Sequence, residues 1–142
     1  MIKLFRKLFG VKQPTQLERI NRDVNRQVWY VKDKEGKDTL TASLDLREGD
    51  CEDIAATKLL HLVKEGFDRS KLSPLMCCIE NGVWHLVLCV VDGIEVKVLD
   101  NLTDEVYSLD KMKHTPWYKT SGGTYYRAKK TQEKYEKLFD AL

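Results

Sequence analysis

The chain has 142 residues, 42% of them hydrophobic and 32% charged, and carries a formal net charge of +2 at pH 7. That length is most simply one domain, the apolar share is enough for a core, and so small a positive excess gives no reason to expect a nucleic-acid partner. No apolar run approaches the roughly 18 residues of a membrane span, so no transmembrane segment is expected.

The chain opens with MIKLFRKLFGVK. Ile2, Phe5 and Phe9 fall on one helical face, with Leu4 and Leu8 beside it, while Lys3, Arg6 and Lys7 interrupt any continuous signal-peptide core. Residues 1–13 therefore read as a basic amphipathic segment. It either docks on the body or makes peripheral contact with a membrane or partner through residues 1–12. Without an export signal, the expected location is cytoplasmic or virion-associated. Residues 14–142 read as the single domain.

Leu17, Ile20, Val24 and Val28 continue a helical pattern through 15–31, and KDKEGKD (32–38) reads as a solvated turn. The clearest helix spans 51–64. Asp50 is its N-cap, Asp53 completes a capping-box-like pair, Ala55, Leu59, Leu62 and Val63 form its apolar face, and Gly66 stops it. Three apolar runs follow, at 75–80, 83–91 and 94–100, split by Asn81-Gly82 and Asp92-Gly93. Both dipeptides favour two-residue hairpin turns, so the runs form an antiparallel meander. Residues 101–124 read as loop with short elements. A C-terminal helix over 125–142 buries Tyr135, Leu138, Phe139 and Leu142. The class is α+β, with helices on one side of an antiparallel sheet.

The four cysteines, Cys51, Cys77, Cys78 and Cys89, include no C-x-x-C pair, which disfavours a zinc or thioredoxin-type motif. They are expected to be reduced. Cys51 sits in GDCED, at the first turn of the 51–64 helix, where the helix dipole and free amides favour a thiolate. The flanking carboxylates oppose this only if they turn toward the sulfur. A two-residue Asp92-Gly93 loop sets Cys89 opposite Val96, Val87 opposite Val98 and His85 opposite Asp100, with Cβ atoms roughly 5 Å apart. A histidine oriented by a carboxylate is the base that a nucleophilic thiol needs. Cys51 is thus the candidate nucleophile, His85 the base and Asp100 the orienting carboxylate. The Cys51 N–H is one oxyanion donor, and Gln27 and Trp29 are candidates for a second. A two-residue Asn81-Gly82 loop also places Cys78 opposite His85, making it a rival nucleophile without a helix N-terminus. His61 and His114 read as surface residues.

GDCEDIAATKLLHLVKEGF, HLVLCV and VLDNLTDEV resemble the signature blocks of the bacterial transglutaminase-like cysteine proteinases. A weaker resemblance extends through INRDVNRQVWYVKD and TPWYKTSGG. It implies a papain-like/transglutaminase-like core and a thiol peptidase with Cys51, His85 and Asp100 in the roles just given. The best-known members are periplasmic, calcium-dependent proteases that release a biofilm adhesin. The resemblance puts their calcium ligands at Asp50 and Glu52, with Asp53 nearby; otherwise these carboxylates cap the helix. The chemistry itself requires no cofactor. The short chain, the lack of an evident export signal, and KDTLTASLDLREGDC without the family's aromatic and proline residues weaken the adhesin analogy. Small size and the missing signal fit a phage-encoded or intracellular hydrolase. The expected partner is a protein or peptide substrate. The rival readings are a transglutaminase or deamidase acting on glutamine side chains, and a noncatalytic binding or structural module.

Overall fold

The structure is a computed structural model that describes residues 13–32 and 40–142. The expected N-terminal helix and nearly all of the 32–38 turn lie outside the described residues.

Helix α1 (Gln16–Gln27) is capped by Thr15, whose hydroxyl accepts from the Glu18 amide, and it buries Leu17, Ile20 and Val24 as the pattern requires. It stops at Gln27 rather than continuing to 31. The β-branched and aromatic run Val28-Trp29-Tyr30-Val31 suits extended backbone better. It forms β1 (Trp29–Tyr30), which pairs in parallel with β2 (Glu48–Gly49). That short ladder delivers the chain to the start of α2 (Cys51–Lys64).

Helix α2 has the expected bounds and a complete capping box. Asp50 Oδ1 accepts from the Asp53 amide and Asp53 Oδ2 from the Asp50 amide, each at 3.2 Å. Such a cap is worth about 1 kcal/mol. Most of its first two turns are buried, because α1 packs on one side and the sheet on the other. Val63, expected on the buried face, is instead exposed.

The main sheet contains β3 (Leu72–Cys78), β4 (Trp84–Asp92), β5 (Glu95–Leu99), β6 (Tyr107–Ser108) and β7 (Thr115–Pro116), in the order β6-β5-β4-β3-β7. Both hairpin registers differ from expectation. The first loop has three residues, closed by Ile79 N–H to Val83 O at 3.0 Å, with Gly82 at φ +83°. A glycine in the left-handed region at the third position is the usual way a three-residue loop closes. This one-residue shift pairs Cys77, not Cys78, with His85. The second loop is Gly93-Ile94 rather than Asp92-Gly93, with Gly93 at φ +64° at its first position. Asp92 then pairs with Glu95 and Cys89 with Val98, a shift of two residues. A shift of two preserves which face each side chain occupies. His85 and Asp100 therefore still share a face, but as diagonal neighbours.

One sheet face carries Leu72, Met76, Leu86, Leu88, Val90 and Leu99 into the core beneath α1 and α2. The other carries Leu75, Cys77, Val87, Cys89 and Val98. Helix α3 (Gly122–Asp140) packs along β3. It begins three residues before the expected start and buries Ala128, Gln132 and Phe139, while Leu142 is exposed. β7 covers only Cys77 and Cys78, so part of the β3 edge needs another partner. Gln132 supplies it: Oε1 accepts from the Met76 amide at 2.7 Å and Nε2 donates to Pro74 O at 2.8 Å.

Gly49 sets how closely the chain approaches the capping box. A Cβ there would lie 2.8 Å from Asp53 Cβ, a carbon of the cap itself. Gly49→Ala is expected to destabilise the protein by about 1–3 kcal/mol through overpacking. Denaturant unfolding measures this, and an unchanged midpoint would show that the N-terminus of α2 tolerates displacement.

Candidate active site

The capping box aims the first turn of α2 at the end of the β3–β4 hairpin. There Cys51 lines a cleft of 570 Å³ together with Glu52, Trp84, His85, Arg127 and Tyr135. The Leu86 amide, one residue beyond His85, faces the Cys51 sulfur and favours its thiolate. Cys78 lines the same cleft.

His85 Nε2 lies 2.7 Å from Asp100 Oδ1. Both are nearly inaccessible, with relative exposures of 6% and 1%. The carboxylate also receives the Leu102 amide on Oδ1 at 3.0 Å, and the Tyr107 hydroxyl and His114 Nε2 on Oδ2, each at 2.9 Å. Burial opposes ionisation of Asp100. Hydrogen bonds from His85, Leu102 and His114 outweigh it and hold the carboxyl well below the usual carboxylate range. An ionised carboxylate only accepts, so both imidazoles present N–H at Nε2. That leaves Nδ1 of a neutral His85 with its lone pair.

The thiol is less activated than its position at a helix N-terminus implies. Burial pushes Cys51 well above the ordinary thiol range, and the charges of Glu52 and Asp50 push it further. Only the Leu86 amide works in the other direction. The cause is geometric: Glu52 turns toward the sulfur, and Cys51 Sγ donates to its Oε2 at 3.3 Å. Glu52 Oε1 meanwhile accepts from the Tyr135 hydroxyl at 2.6 Å. Burial opposes the ionisation of Glu52, but its contact with the Asp50 side chain and the hydrogen bond from Tyr135 prevail and hold it below its ordinary value.

The sequence between residues 7 and 134 matches the family model of the bacterial transglutaminase-like cysteine proteinases. The chain belongs to this family. Among solved structures, it is similar to calcium-bound LapG of Legionella pneumophila, with 23% identity, 82% of this chain and 78% of that chain covered, and a TM-score of 0.62. It is also similar to LapG of the same organism in two further structures. One shows 22% identity over 89% of this chain and 76% of that, with a TM-score of 0.64. The other, EGTA-treated, shows 21% identity over 89% and 77%, also at 0.64. No curated protein matches the sequence. The fold is that of a papain-like, transglutaminase-like α+β proteinase.

In this member of the family, several site expectations need revision. His114 is not a surface residue, since it bonds the carboxylate that His85 bonds. It lies 14 residues beyond Asp100 in an irregular stretch, and no local pattern marks it. His61 Nε2 lies 2.9 Å from Leu44 O, tying the 44–46 segment to α2. Gln27 Nε2 donates to Leu44 O and Leu46 O, both at 2.9 Å, so its amide is committed to that segment and not to an oxyanion. Trp29 is 77% exposed, its amide donates to Arg47 O, and it is not among the residues that line the Cys51 cleft. Asp53 Oδ1 accepts from the Thr41 amide at 2.8 Å and Oδ2 from Asp50, so both its oxygens serve the fold. Among the described residues, the one close group of three metal-binding side chains is His85, Asp100 and His114, with ligand atoms within 4.8 Å of one another. Each of these contacts is a hydrogen bond that the carboxylate already satisfies.

Lys58, on α2, escaped the sequence reading altogether. It is fully buried. Desolvation lowers its amine to about 7 despite the attraction of Asp100 and Asp104. From α1, Asn25 Nδ2 donates to Asp100 O and Thr103 O, and Asn21 Nδ2 to Thr103 O and Asp104 O, so α1 grips the loop that follows Asp100. Between about 7 and 10.5 the unfolded chain keeps a proton on Lys58 that the folded chain has lost, so this residue makes stability rise with pH across that window. Lys58→Met is expected to be the more stable protein at pH 6, because an apolar side chain escapes the desolvation of a buried charge. Its margin should shrink as the pH is raised through that window. Urea unfolding of both proteins measures it, and a margin independent of pH would contradict a buried cation.

Proposed function

We propose that the protein is a thiol hydrolase that cleaves a peptide bond in a protein substrate, with Cys51 as nucleophile, His85 as base and then acid, and Asp100 as the carboxylate that orients His85. The 2.7 Å contact between His85 Nε2 and the ionised Asp100 carries this reading, because it fixes the tautomer whose free Nδ1 can take a proton. Cys51 and His85 line one cleft, which is where the transfer needs them.

In the reaction, His85 Nδ1 takes the thiol proton as Cys51 Sγ attacks the scissile carbonyl. The oxyanion forms beside the first turn of α2, where the backbone amides, Cys51 N–H among them, point out of the helix. His85 then gives its proton to the departing amine, leaving an acyl group on Cys51. Water, losing a proton to His85, attacks that thioester and releases the acid. Asp100 stays ionised throughout and stabilises the imidazolium.

Asp50 and Glu52 fit the acidic part of a calcium site. Their side chains touch, and oxygen-rich sites are what calcium selects. Asp53 fits less well, since backbone amides of the cap and of Thr41 fix its two oxygens in the fold, whereas Glu52 accepts from the side chains of Cys51 and Tyr135. Bound there, calcium would offset the negative charge that now raises the thiol. Among the described residues no helix is long and apolar enough to cross a membrane.

The reading predicts that Cys51→Ser lowers peptide-bond cleavage of a denatured protein substrate by at least about 10³-fold, as for other nucleophile replacements. Cys78→Ser should leave most activity; the reverse pattern would move the nucleophile to Cys78. A glutamine peptide with a labelled amine separates the chemistries. Incorporation without backbone cleavage would make the protein an acyl-transfer enzyme instead. Calcium should accelerate cleavage and EGTA reverse it, and Glu52→Gln should blunt both responses. Identical rates in calcium and EGTA would remove calcium from the account.

A further inference from the structure

Asp100 lies one residue past the end of β5, beyond the last paired residue of that ladder. Its side chain is therefore held by what its two oxygens accept. Oδ1 takes His85 and the Leu102 amide, and this is the oxygen that orients the base. Oδ2 takes Tyr107 and His114, and these two donors resist rotation of the carboxylate about its Cβ–Cγ bond.

His114 is placed for this by its neighbour in the chain. Thr115–Pro116 pairs with Cys77–Cys78 of β3, and Cys77 is also the cross-strand partner of His85. The His114 ring meets the His85 ring edge-on, with centroids 5.7 Å apart and planes at 79°. One side chain thus touches both the carboxylate and the imidazole that it orients. His114 and Tyr107 also line a 320 Å³ cavity on the Asp100 side of the site, and together they stand between water and a carboxylate that is 1% exposed.

We propose that His114 is a positioning residue of the hydrolase, donating to Asp100 Oδ2 so that the carboxylate keeps His85 in register with Cys51. The inference rests on the thiol-hydrolase reading, and it acts through Asp100 without contact to substrate. A donor at this position matters, and ring volume alone does not suffice. His114→Gln keeps an N–H donor, whereas His114→Phe keeps a ring and loses the donor.

The test follows iodoacetamide alkylation of Cys51 by peptide mapping, with Cys78 of the same cleft as internal reference. It also follows the proton NMR signal of the hydrogen shared by His85 and Asp100, identified by its loss in Asp100→Asn. In His114→Phe the Cys51 rate should fall about tenfold, as expected for losing one hydrogen bond to a charged group, with the Cys78 rate unchanged. The shared-proton signal should broaden or shift. His114→Gln should restore the signal and stay within about threefold of wild type, a difference of less than one such bond. Wild-type behaviour in His114→Phe, or equal losses in both variants, would overturn the proposal. If alkylation of Cys51 is as fast in His85→Gln as in wild type, the hydrolase reading falls. The shared-proton signal then decides for His114 alone, and its persistence unchanged in His114→Phe overturns the proposal.

Discussion

A buried carboxylate must be satisfied, and the way Asp100 is satisfied organises this molecule. Its two oxygens collect His85 from β4, Leu102 from its own loop, Tyr107 from β6 and His114 from the approach to β7. Removing any one donor would leave a desolvated charge short of a partner, which costs more than the bond itself contributes. Elements distant in sequence are thereby committed to one arrangement. Asparagines on α1 hold the same loop through its carbonyls, so the helix layer and the sheet layer meet at this point. Lys58 brings a cation into that interior from the nucleophile-bearing helix itself.

The thiol end of the site is built on a different principle. The capping box gives Cys51 its place at a helix N-terminus, and Gly49 lets the preceding strand come close enough to form it. Asp50 of that cap and its neighbour Glu52 also put negative charge beside the sulfur. Glu52 reaches it at 3.3 Å, and burial acts in the same direction. The resting thiol is therefore protonated, and activation must come from His85 and from whatever offsets the Asp50–Glu52 charge. GDCED is thus both a structural cap and a restraint on the nucleophile.

Much of this was legible in the residues. The start of α2, its cap, and the shared face of His85 and Asp100 follow from local pattern and strand parity. The last survived a wrong loop because a two-residue shift keeps parity. The Asn81-Gly82 loop shows the opposite case. One extra loop residue pairs Cys77 with His85 and moves Cys78 to the cross-strand position of Trp84. Loop length is a property of the closed hairpin, and the dipeptide alone does not set it. His114 and Lys58 were illegible for another reason. Each acquires its role from a partner brought in by the tertiary fold, the first in an irregular stretch and the second on the face of its helix that carries Ala55 and Leu62, where a charged residue type gives no sign of burial. The orientation of Glu52 is equally a tertiary matter, since Tyr135 of α3 holds its other oxygen.

The central claim is that Cys51 is acylated during turnover because His85, held by Asp100, takes its proton. An acid quench shortly after mixing the protein with a p-nitrophenyl ester, followed by peptide mapping, tests it most directly. The account predicts the acyl group on the peptide that carries Cys51, and its absence from that peptide in His85→Gln. Acylation on the peptide carrying Cys77 and Cys78, or acylation of Cys51 undiminished without His85, would contradict it.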